Sequence, residues 1–183
     1  MKSLKNVSNI RSKYTYYRYL DTSPLNFELP VFATNSYQYY GKLSQSQKDS
    51  LIWVGGGNKV ELNMGPVFIN STTVWGFTNP FPLGNQCVGF QSNSYIQRLV
   101  LLKSGTRTIS FFYHTRSNSS ANPVTITMNT STILGTIPST RVSSWTPYSV
   151  QVNIVSDAIV LLRFGGTVTT FDATTAINNI VIS

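Results

Sequence analysis

The side chains best suited to chemistry in this sequence lie within residues 107–122. His114 and Arg116 end an apolar segment, and the polar stretch Ser117–Asn122 follows directly. An imidazole can act as a general base and a guanidinium can donate several hydrogen bonds, so this region is open to catalysis or to ligand binding. Catalysis has less support, because His114 is the only histidine and no local signature pairs it with Cys87, the only cysteine.

Carboxylates give equally little support for an enzyme. Hydrolysis of a glycosidic bond commonly uses two carboxylates placed on either side of that bond. The spacing of the acids singles out no such pair among Glu28, Glu61, Asp157 and Asp172. The sequence also lacks a phosphate-binding loop, an HExxH zinc motif and a metal-ligand cluster. We therefore predict that the protein is not an enzyme.

Ligand binding has more residues to draw on, especially for a carbohydrate. An aromatic ring can stack on the C–H face of a sugar, and an amide, imidazole or guanidinium can hydrogen-bond its hydroxyls. The candidates for these roles are Tyr37, Tyr39, Trp53, Trp75, His114 and Arg116, and the resemblance described below adds Gln91 as a seventh. The alternative for each of them is packing in a hydrophobic core or bracing of a loop, which is the usual role of such residues in a β-sandwich.

Strands must position these candidates, because apolar residues recur at every second position. In Arg107–Thr115, the residues Arg107, Ile109, Phe111 and Tyr113 alternate with Thr108, Ser110, Phe112 and His114. The same alternation predicts strands at Val124–Met128, Thr132–Ile137, Tyr148–Val155, Ala158–Phe164 and Ala176–Ile182. A short turn between the first two of these predicts that they pair with each other.

Shorter strands are predicted nearer the start of the chain, at Asn35–Gly41, Leu51–Val54, Lys59–Asn63 and Met64–Asn70. The run Gly55-Gly56-Gly57-Asn58 is expected to form the turn of a hairpin. No stretch shows helical periodicity, and 183 residues suit a single core. The predicted fold class is therefore all-β, with one antiparallel jelly-roll β-sandwich over residues 23–183.

Residues 1–22 differ from the rest and are predicted to form an extended N-terminal arm; the alternative is a disordered, solvated tail. Residues 1–20 hold five of the fourteen basic residues and none of the six acids, in a chain whose net charge is +8. The predicted partner-binding residues of the arm are Lys2, Lys5, Arg11, Lys13, Tyr14, Tyr16, Tyr17, Arg18 and Tyr19. Such residues could anchor another protein subunit, or could bind nucleic acid through phosphates and stacked bases. Because the predicted sandwich has no basic stripe, we favour a protein subunit.

The sequence also predicts where the protein is made. No apolar run is long enough for a secretion signal or a membrane helix, and a single cysteine cannot form an intrachain disulfide. We expect synthesis in the cytoplasm and no membrane span.

Several motifs follow one another in order: FELP, NSYQYY, WGFTNPFPLGNQCVGFQ, SGTRTISFFYHTR, NPVTITMN and DATTAINNIVIS. This order resembles the galactose-binding-like jelly rolls found as carbohydrate-binding modules, and the resemblance covers residues 25–183. Comparable domains also occur in proteins of large DNA viruses and in phage appendages. The resemblance implies that Arg116 corresponds to an arginine common in the family, and Gln91 to the polar end of a conserved element.

The resemblance also implies a structural calcium site as one alternative. Related domains often bind calcium through an acid after the first aromatic residue and a second acid in the last strand. Glu28 matches the first acid, whereas Asn178 stands in place of the second. Asp172 could supply the missing charge, and an amide oxygen can coordinate calcium less strongly than a carboxylate. The other alternative is that the protein has no cofactor.

Two functions from different classes remain. The first, which the sequence favours, is a non-catalytic structural or assembly protein of a larger particle, such as a minor capsid or surface component of a large virus, located in the virion. Its basis is the lack of a secretion signal, the unpaired Cys87, the arm and the single domain. The alternative is a glycan-binding attachment module in the cytoplasm or outside the cell. Nucleic-acid binding through the arm is less favoured than either.

Overall fold

Alternating apolar and polar residues give strands with two unlike faces, and the described residues contain eleven strands in two antiparallel sheets. The computed structural model describes Leu25, Phe27 and residues 30–57, 65–70, 73, 75–78, 80–169 and 172–183. In chain order the strands are β1 (Ser36–Tyr39), β2 (Val54–Gly56), β3 (Val67–Asn70), β4 (Cys87–Gln91), β5 (Tyr95–Leu102), β6 (Gly105–Thr115), β7 (Val124–Met128), β8 (Thr132–Ile137), β9 (Thr146–Ile154), β10 (Ala158–Gly166) and β11 (Thr174–Ile182).

The strand order is that of a sandwich with crossovers between its layers. One sheet has the order β1-β3-β4-β11-β6-β9 and the other the order β2-β5-β10-β7-β8. Chain neighbours β4, β5 and β6 therefore alternate between the two sheets and do not pair with one another. The predicted antiparallel β-sandwich is confirmed, and so is the predicted pairing of β7 with β8.

The core lies between the inner faces of the two sheets. On β6, Ile109 and Phe111 are buried at alternate positions, as the sequence predicts. Phe111 meets Phe164 of β10 edge to face, with ring centroids 5.3 Å apart. Removing such large apolar surfaces from water is the main favourable contribution to folding.

The first two glycines after Val54 lie in a strand and not in the predicted hairpin turn. Gly55 and Gly56 belong to β2, where they pair with Ile96 and Tyr95 of β5. A Cβ at Gly56 would collide with the Tyr95 ring, so a glycine is needed for close approach and not for a turn. The other predicted strand of that hairpin, Lys59–Asn63, lies outside the described residues.

A 3-10 helix (Tyr40–Lys42) and a short α-helix, α1 (Gln45–Ser50), interrupt the strands although the sequence shows no helical periodicity. Ser44 caps α1: its hydroxyl accepts from the Gln47 backbone N–H, and the Gln47 side chain accepts from the Ser44 N–H. Six residues are too few for an apolar repeat to be visible, so the capping residues are its main signal in the sequence. Among the described residues, no helix has the length and apolar character needed to cross a membrane.

The outer face of the six-stranded sheet carries a second, smaller apolar cluster. Strand residues of this cluster are Val67, Ile69, Cys87 and Ala176, and loop residues Trp75, Phe77, Phe81 and Trp145 cover them. Two loops therefore pack on a sheet face that would otherwise meet solvent. This covered outer face positions the candidate site.

Candidate functional site

Three adjacent strands of the six-stranded sheet, β4, β11 and β6, have a terminus at the same end of the sheet. Thr174, at the start of β11, lies opposite Gln91 at the end of β4, and Thr175 lies opposite Thr115 at the end of β6. The chain segments that leave these ends are thereby gathered at one place. We call the segment between β6 and β7, residues 116–123, the β6–β7 loop.

The β6–β7 loop is held by backbone bonds to its neighbours. The Ser117 N–H donates to the Trp75 carbonyl at 3.3 Å, and the Thr174 N–H donates to the Ser120 carbonyl at 2.9 Å. Asn118 has a φ of 58°, a left-handed conformation that asparagine tolerates better than most residues. The loop is thus fixed through its main chain, and the side chains of Arg116 and Asn118 make no hydrogen bond to the described residues.

Asn122 anchors the far end of this loop beneath the surface. Its buried amide donates to the carbonyls of Phe90 at 3.0 Å and Ser92 at 2.7 Å. Its carbonyl oxygen accepts from the backbone N–H groups of Thr167 and Val168 at 3.1 and 3.3 Å. Asn122 was not among the predicted site residues, because an asparagine before a proline indicates only an ordinary turn.

A depression of about 390 Å³ opens between this loop and the segment that carries Trp75. Its lining residues are Thr73, Trp75, Gly76, Arg116, Ser117, Asn118, Ser119 and Asp172. The guanidinium carbon of Arg116 lies 4.6 Å from the centre of the Trp75 ring, a cation–π contact. We call this the Trp75–Arg116 depression.

Two tyrosines of β1 extend the aromatic surface beside it. Tyr37 is 42% exposed and meets Trp75 edge to face, with centroids 5.4 Å apart. Tyr39 packs against Tyr37 and donates from its hydroxyl to Gln91 Oε1 at 2.9 Å. Burial, with a smaller effect of Tyr37, raises the pKa of Tyr39 above its ordinary value of 10.0, so the phenol stays a donor.

The structure therefore brings five of the seven predicted ligand residues together: Tyr37, Tyr39, Trp75, Gln91 and Arg116. Their accessibility differs, because Trp75 and Gln91 are buried while Tyr37 and Arg116 reach solvent. Tyr39 is partly exposed, as Arg116 is, so three of the five side chains reach the surface.

Trp53 is separate from this group. It is 1% exposed and lies between the sheets, where its ring meets Phe164 at 5.8 Å and Phe27 at 6.2 Å. The prediction that Trp53 binds a ligand is therefore wrong, because a side chain enclosed by both sheets cannot stack on a surface ligand. The sequence offered no distinction between Trp53 and Trp75.

His114 is also enclosed and acts as a brace. It is 2% exposed; Nδ1–H donates to the Thr115 carbonyl at 2.7 Å, and Nε2 accepts from the Thr78 N–H at 3.2 Å. Its ring packs edge to face on Phe77 and Trp145. Burial lowers the pKa of His114 below its ordinary value of 6.5, which keeps the imidazole neutral and suited to these bonds.

The predicted calcium ligands do not converge among the described residues. Asn178 Oδ1 accepts from the Leu83 N–H at 2.9 Å, and its Nδ2 donates to the carbonyls of Leu83 and Gln86 at 3.0 and 2.8 Å. Asp172 lines the Trp75–Arg116 depression instead. Four residues of extended strand from Thr174 to Asn178 span roughly 13 Å, whereas calcium ligands lie about 2.3–2.6 Å from the ion.

The Asn178 amide is thus already bonded through both its oxygen and its nitrogen. Glu28 lies outside the described residues. Within the described chain, no group of three or more His, Cys, Asp or Glu residues could hold a metal. The residues described here do not fit a calcium site built on the predicted set.

The other predicted residues have different positions. Asp157 pairs with Lys103 at 2.8 Å in the turn after β5, at the opposite end of β6 from the depression. Glu61 and the whole predicted arm, residues 1–22, lie outside the described residues. Their predicted roles stay predictions.

Comparison with known proteins gives a fold but no sequence family. No protein-family model matches the chain, and a search of curated proteins found no significant match. Among solved structures, the chain is similar to TmCBM61 in complex with β-1,4-galactotriose, with a TM-score of 0.51, 12% identity, and coverage of 72% of this chain and 87% of that one.

Two further similarities are weaker. A family 35 carbohydrate-binding module from Clostridium thermocellum is 14% identical, with a TM-score of 0.49 and coverage of 82% of this chain and 98% of that one. An exo-β-1,3-galactanase from Phanerochaete chrysosporium is 13% identical, with a TM-score of 0.49. The match covers 82% of this chain but only 30% of the enzyme chain.

The protein thus has the galactose-binding-like jelly-roll fold of carbohydrate-binding modules, which confirms the resemblance seen in the sequence. These likenesses show the fold alone, and the structural role in a virus particle stays a prediction.

Proposed function

We propose that this protein is a glycan-binding module whose site is the Trp75–Arg116 depression. The observation that carries the proposal is the placing of the Arg116 guanidinium over Trp75, beside the exposed Tyr37 ring. A sugar presents an apolar C–H face and a rim of hydroxyls, so it needs an aromatic surface and polar groups together.

Polar side chains that can bind hydroxyls line the depression. Arg116, Asn118 and Asp172 line the depression, and their side chains make no hydrogen bond to the described residues. The guanidinium offers donors, the carboxylate offers acceptors and the amide offers both, which matches hydroxyls that donate and accept. The similarity in fold to a protein solved with β-1,4-galactotriose supports the same conclusion.

We also propose that binding is not followed by catalysis. Glycosidases place two carboxyl groups about 5–10 Å apart around the scissile bond. Among the described residues, Asp172 is the single carboxylate that lines the depression. One carboxylate can orient a hydroxyl but cannot supply both the acid and the base or nucleophile.

The test is a glycan array on the full-length protein, followed by calorimetric titration of the strongest ligand. Arg116→Ala should weaken binding about tenfold to a hundredfold, because hydrogen bonds from a charged group contribute about 1.5–3 kcal/mol each. It should change the free energy of unfolding by less than about 1 kcal/mol, since the side chain is partly exposed.

Lys103→Ala is the matched control. It also removes one positive charge, but at the other end of β6, roughly 33 Å away along the strand. We expect its affinity to equal that of the wild-type protein. Equal affinities of Arg116→Ala and wild type, or no binding to any glycan on the array, would contradict the proposed function.

A further inference from the structure

A second depression adjoins the Trp75–Arg116 depression at the β6–β7 loop. The second depression is about 570 Å³ and is lined by Asn118, Ser119, Ser120, Ala121, Ser139 and Arg141. Asn118 and Ser119 line both depressions, so the two lie side by side. We call the two depressions together the groove.

The two halves of the groove differ in charge and in aromatic content. In the first half, Arg116 is accompanied by the Asp172 carboxylate and by the Trp75 ring. In the second half, Arg141 is accompanied by serines, an alanine and an asparagine, with neither an acid nor an aromatic residue in the lining. The positive charge of Arg141 is thus unopposed within the described lining, whereas that of Arg116 is balanced.

Arg141 is fixed in place by its neighbour. The Val142 N–H donates to Thr115 Oγ1 at 3.2 Å, and the Thr115 N–H donates to the Val142 carbonyl at 3.4 Å. The backbone beside Arg141 is therefore tied to the end of β6, the strand that leads into Arg116. The Arg141 side chain is exposed and makes no hydrogen bond to the described residues.

We propose that the groove binds an acidic oligosaccharide, with a carboxylate or sulfate group of one unit held by Arg141. A neighbouring unit lies against Tyr37, Arg116 and Asp172 in the first half. Guanidinium groups bind planar carboxylates and sulfate-like anions through two parallel hydrogen bonds, and a net charge of +8 attracts polyanionic chains from a distance. This inference rests on the proposed function and adds the class of ligand.

The test compares acidic glycans with their neutral counterparts on the full-length protein. One pair is trigalacturonic acid and the galactotriose obtained by reducing its carboxyl groups, and a second is a chondroitin sulfate tetrasaccharide and its desulfated form. We expect at least one acidic member to bind ten times more tightly than its neutral form at 150 mM salt. The pair that shows the difference identifies carboxylate or sulfate as the bound group.

Arg141→Gln removes the charge while keeping an amide of similar reach. It should reduce affinity for the acidic ligand about tenfold and leave the neutral form unchanged, whereas Arg116→Gln should weaken both. Lys103→Gln, which removes a charge far from the groove, should change neither affinity.

Three results would overturn the inference. One is equal affinity for the acidic and neutral members of both pairs, with saturable binding of each, which leaves the proposed function intact. Another is an equal loss of affinity in Arg141→Gln and Lys103→Gln, which indicates unspecific charge attraction. Complete absence of binding to these and to all array glycans would remove the proposed function as well.

Discussion

The two faces of the six-stranded sheet are built differently, although the same strands supply both. The inner face carries large apolar side chains such as Phe68, Phe90 and Phe111, which meet the other sheet. The outer face carries smaller residues such as Val67 and Ala176, and aromatic residues from loops pack over them. On the inner face, side chains of the strands pack against the other sheet. On the outer face, side chains from loops cover the side chains of the strands.

This difference separates stability from the proposed glycan binding. A residue of the inner face is enclosed by two sheets and contributes mainly to folding. The rim of the outer face carries side chains that reach solvent, such as Tyr37 of β1 and Arg116 of the β6–β7 loop. Changes on the inner face should therefore lower stability, and changes at the rim of the outer face should lower affinity.

The largest expected effect is on the inner face, at Phe111. Phe111→Ala removes a ring that contacts Tyr148 and Phe164, both with centroids 5.3 Å away, and should lower the free energy of unfolding by about 3–5 kcal/mol. Urea denaturation measures this loss. Glycan affinity of the protein that remains folded should equal that of wild type. A loss below about 1 kcal/mol would show that the inner face is not the main source of stability.

A smaller loss is expected where the outer-face loop is attached, at Asn178. Asn178→Asp should cost about 3 kcal/mol, because a carboxylate cannot donate to the carbonyls of Leu83 and Gln86 and would face them with negative charge. Asn153→Asp, an exposed residue of β9, introduces the same charge and should cost less than about 0.5 kcal/mol.

Removal of metal ions tests the calcium alternative. If the Asn178 amide already satisfies these carbonyls, EDTA should leave the melting temperature of the wild-type protein unchanged. A fall in melting temperature with EDTA that calcium reverses would show that a metal site contributes to the fold.

The smallest effect concerns His114, which joins the outer-face loops. Its pKa is lowered in the folded protein, so the unfolded chain takes up the proton first as the pH falls. The contribution of the neutral ring is complete above pH 6.5 and is lost as the pH falls toward the lowered folded value. Denaturation at pH 7.5 and at pH 5 should show a larger loss for wild type than for His114→Gln. Identical losses would mean that His114 does not link pH to stability.

Much of the fold follows from local patterns, but the pairing of strands does not. The alternation in β6 and the turn between β7 and β8 predict those strands and their pairing, because both depend on neighbours in the sequence. The exchange of β4, β5 and β6 between sheets depends on contacts across the whole chain. Gly55 and Gly56 indicate a turn by composition, whereas the approach of Tyr40 to Gly55 and of Tyr95 to Gly56 is what leaves no room for a side chain.

The candidate site was predictable by residue type and not by position. Tyr37, Trp75 and Arg116 have the right chemistry, but so has Trp53, which the fold encloses. The contact between segments around Trp75 and Ser117 is made by a backbone bond that any residue pair could form. Asn122 and Asn178 hold loops through amide bonds to main-chain atoms far away in sequence, for which the local sequence carries no pattern.

The most direct test of the account is an NMR titration of the full-length protein with the strongest glycan from the array. We predict that the largest amide shift changes map to Tyr37, Trp75 and residues 116–119, with none at the Lys103–Asp157 turn. Shift changes concentrated elsewhere, for example on the exposed side of β5 and β10, would contradict the proposed site.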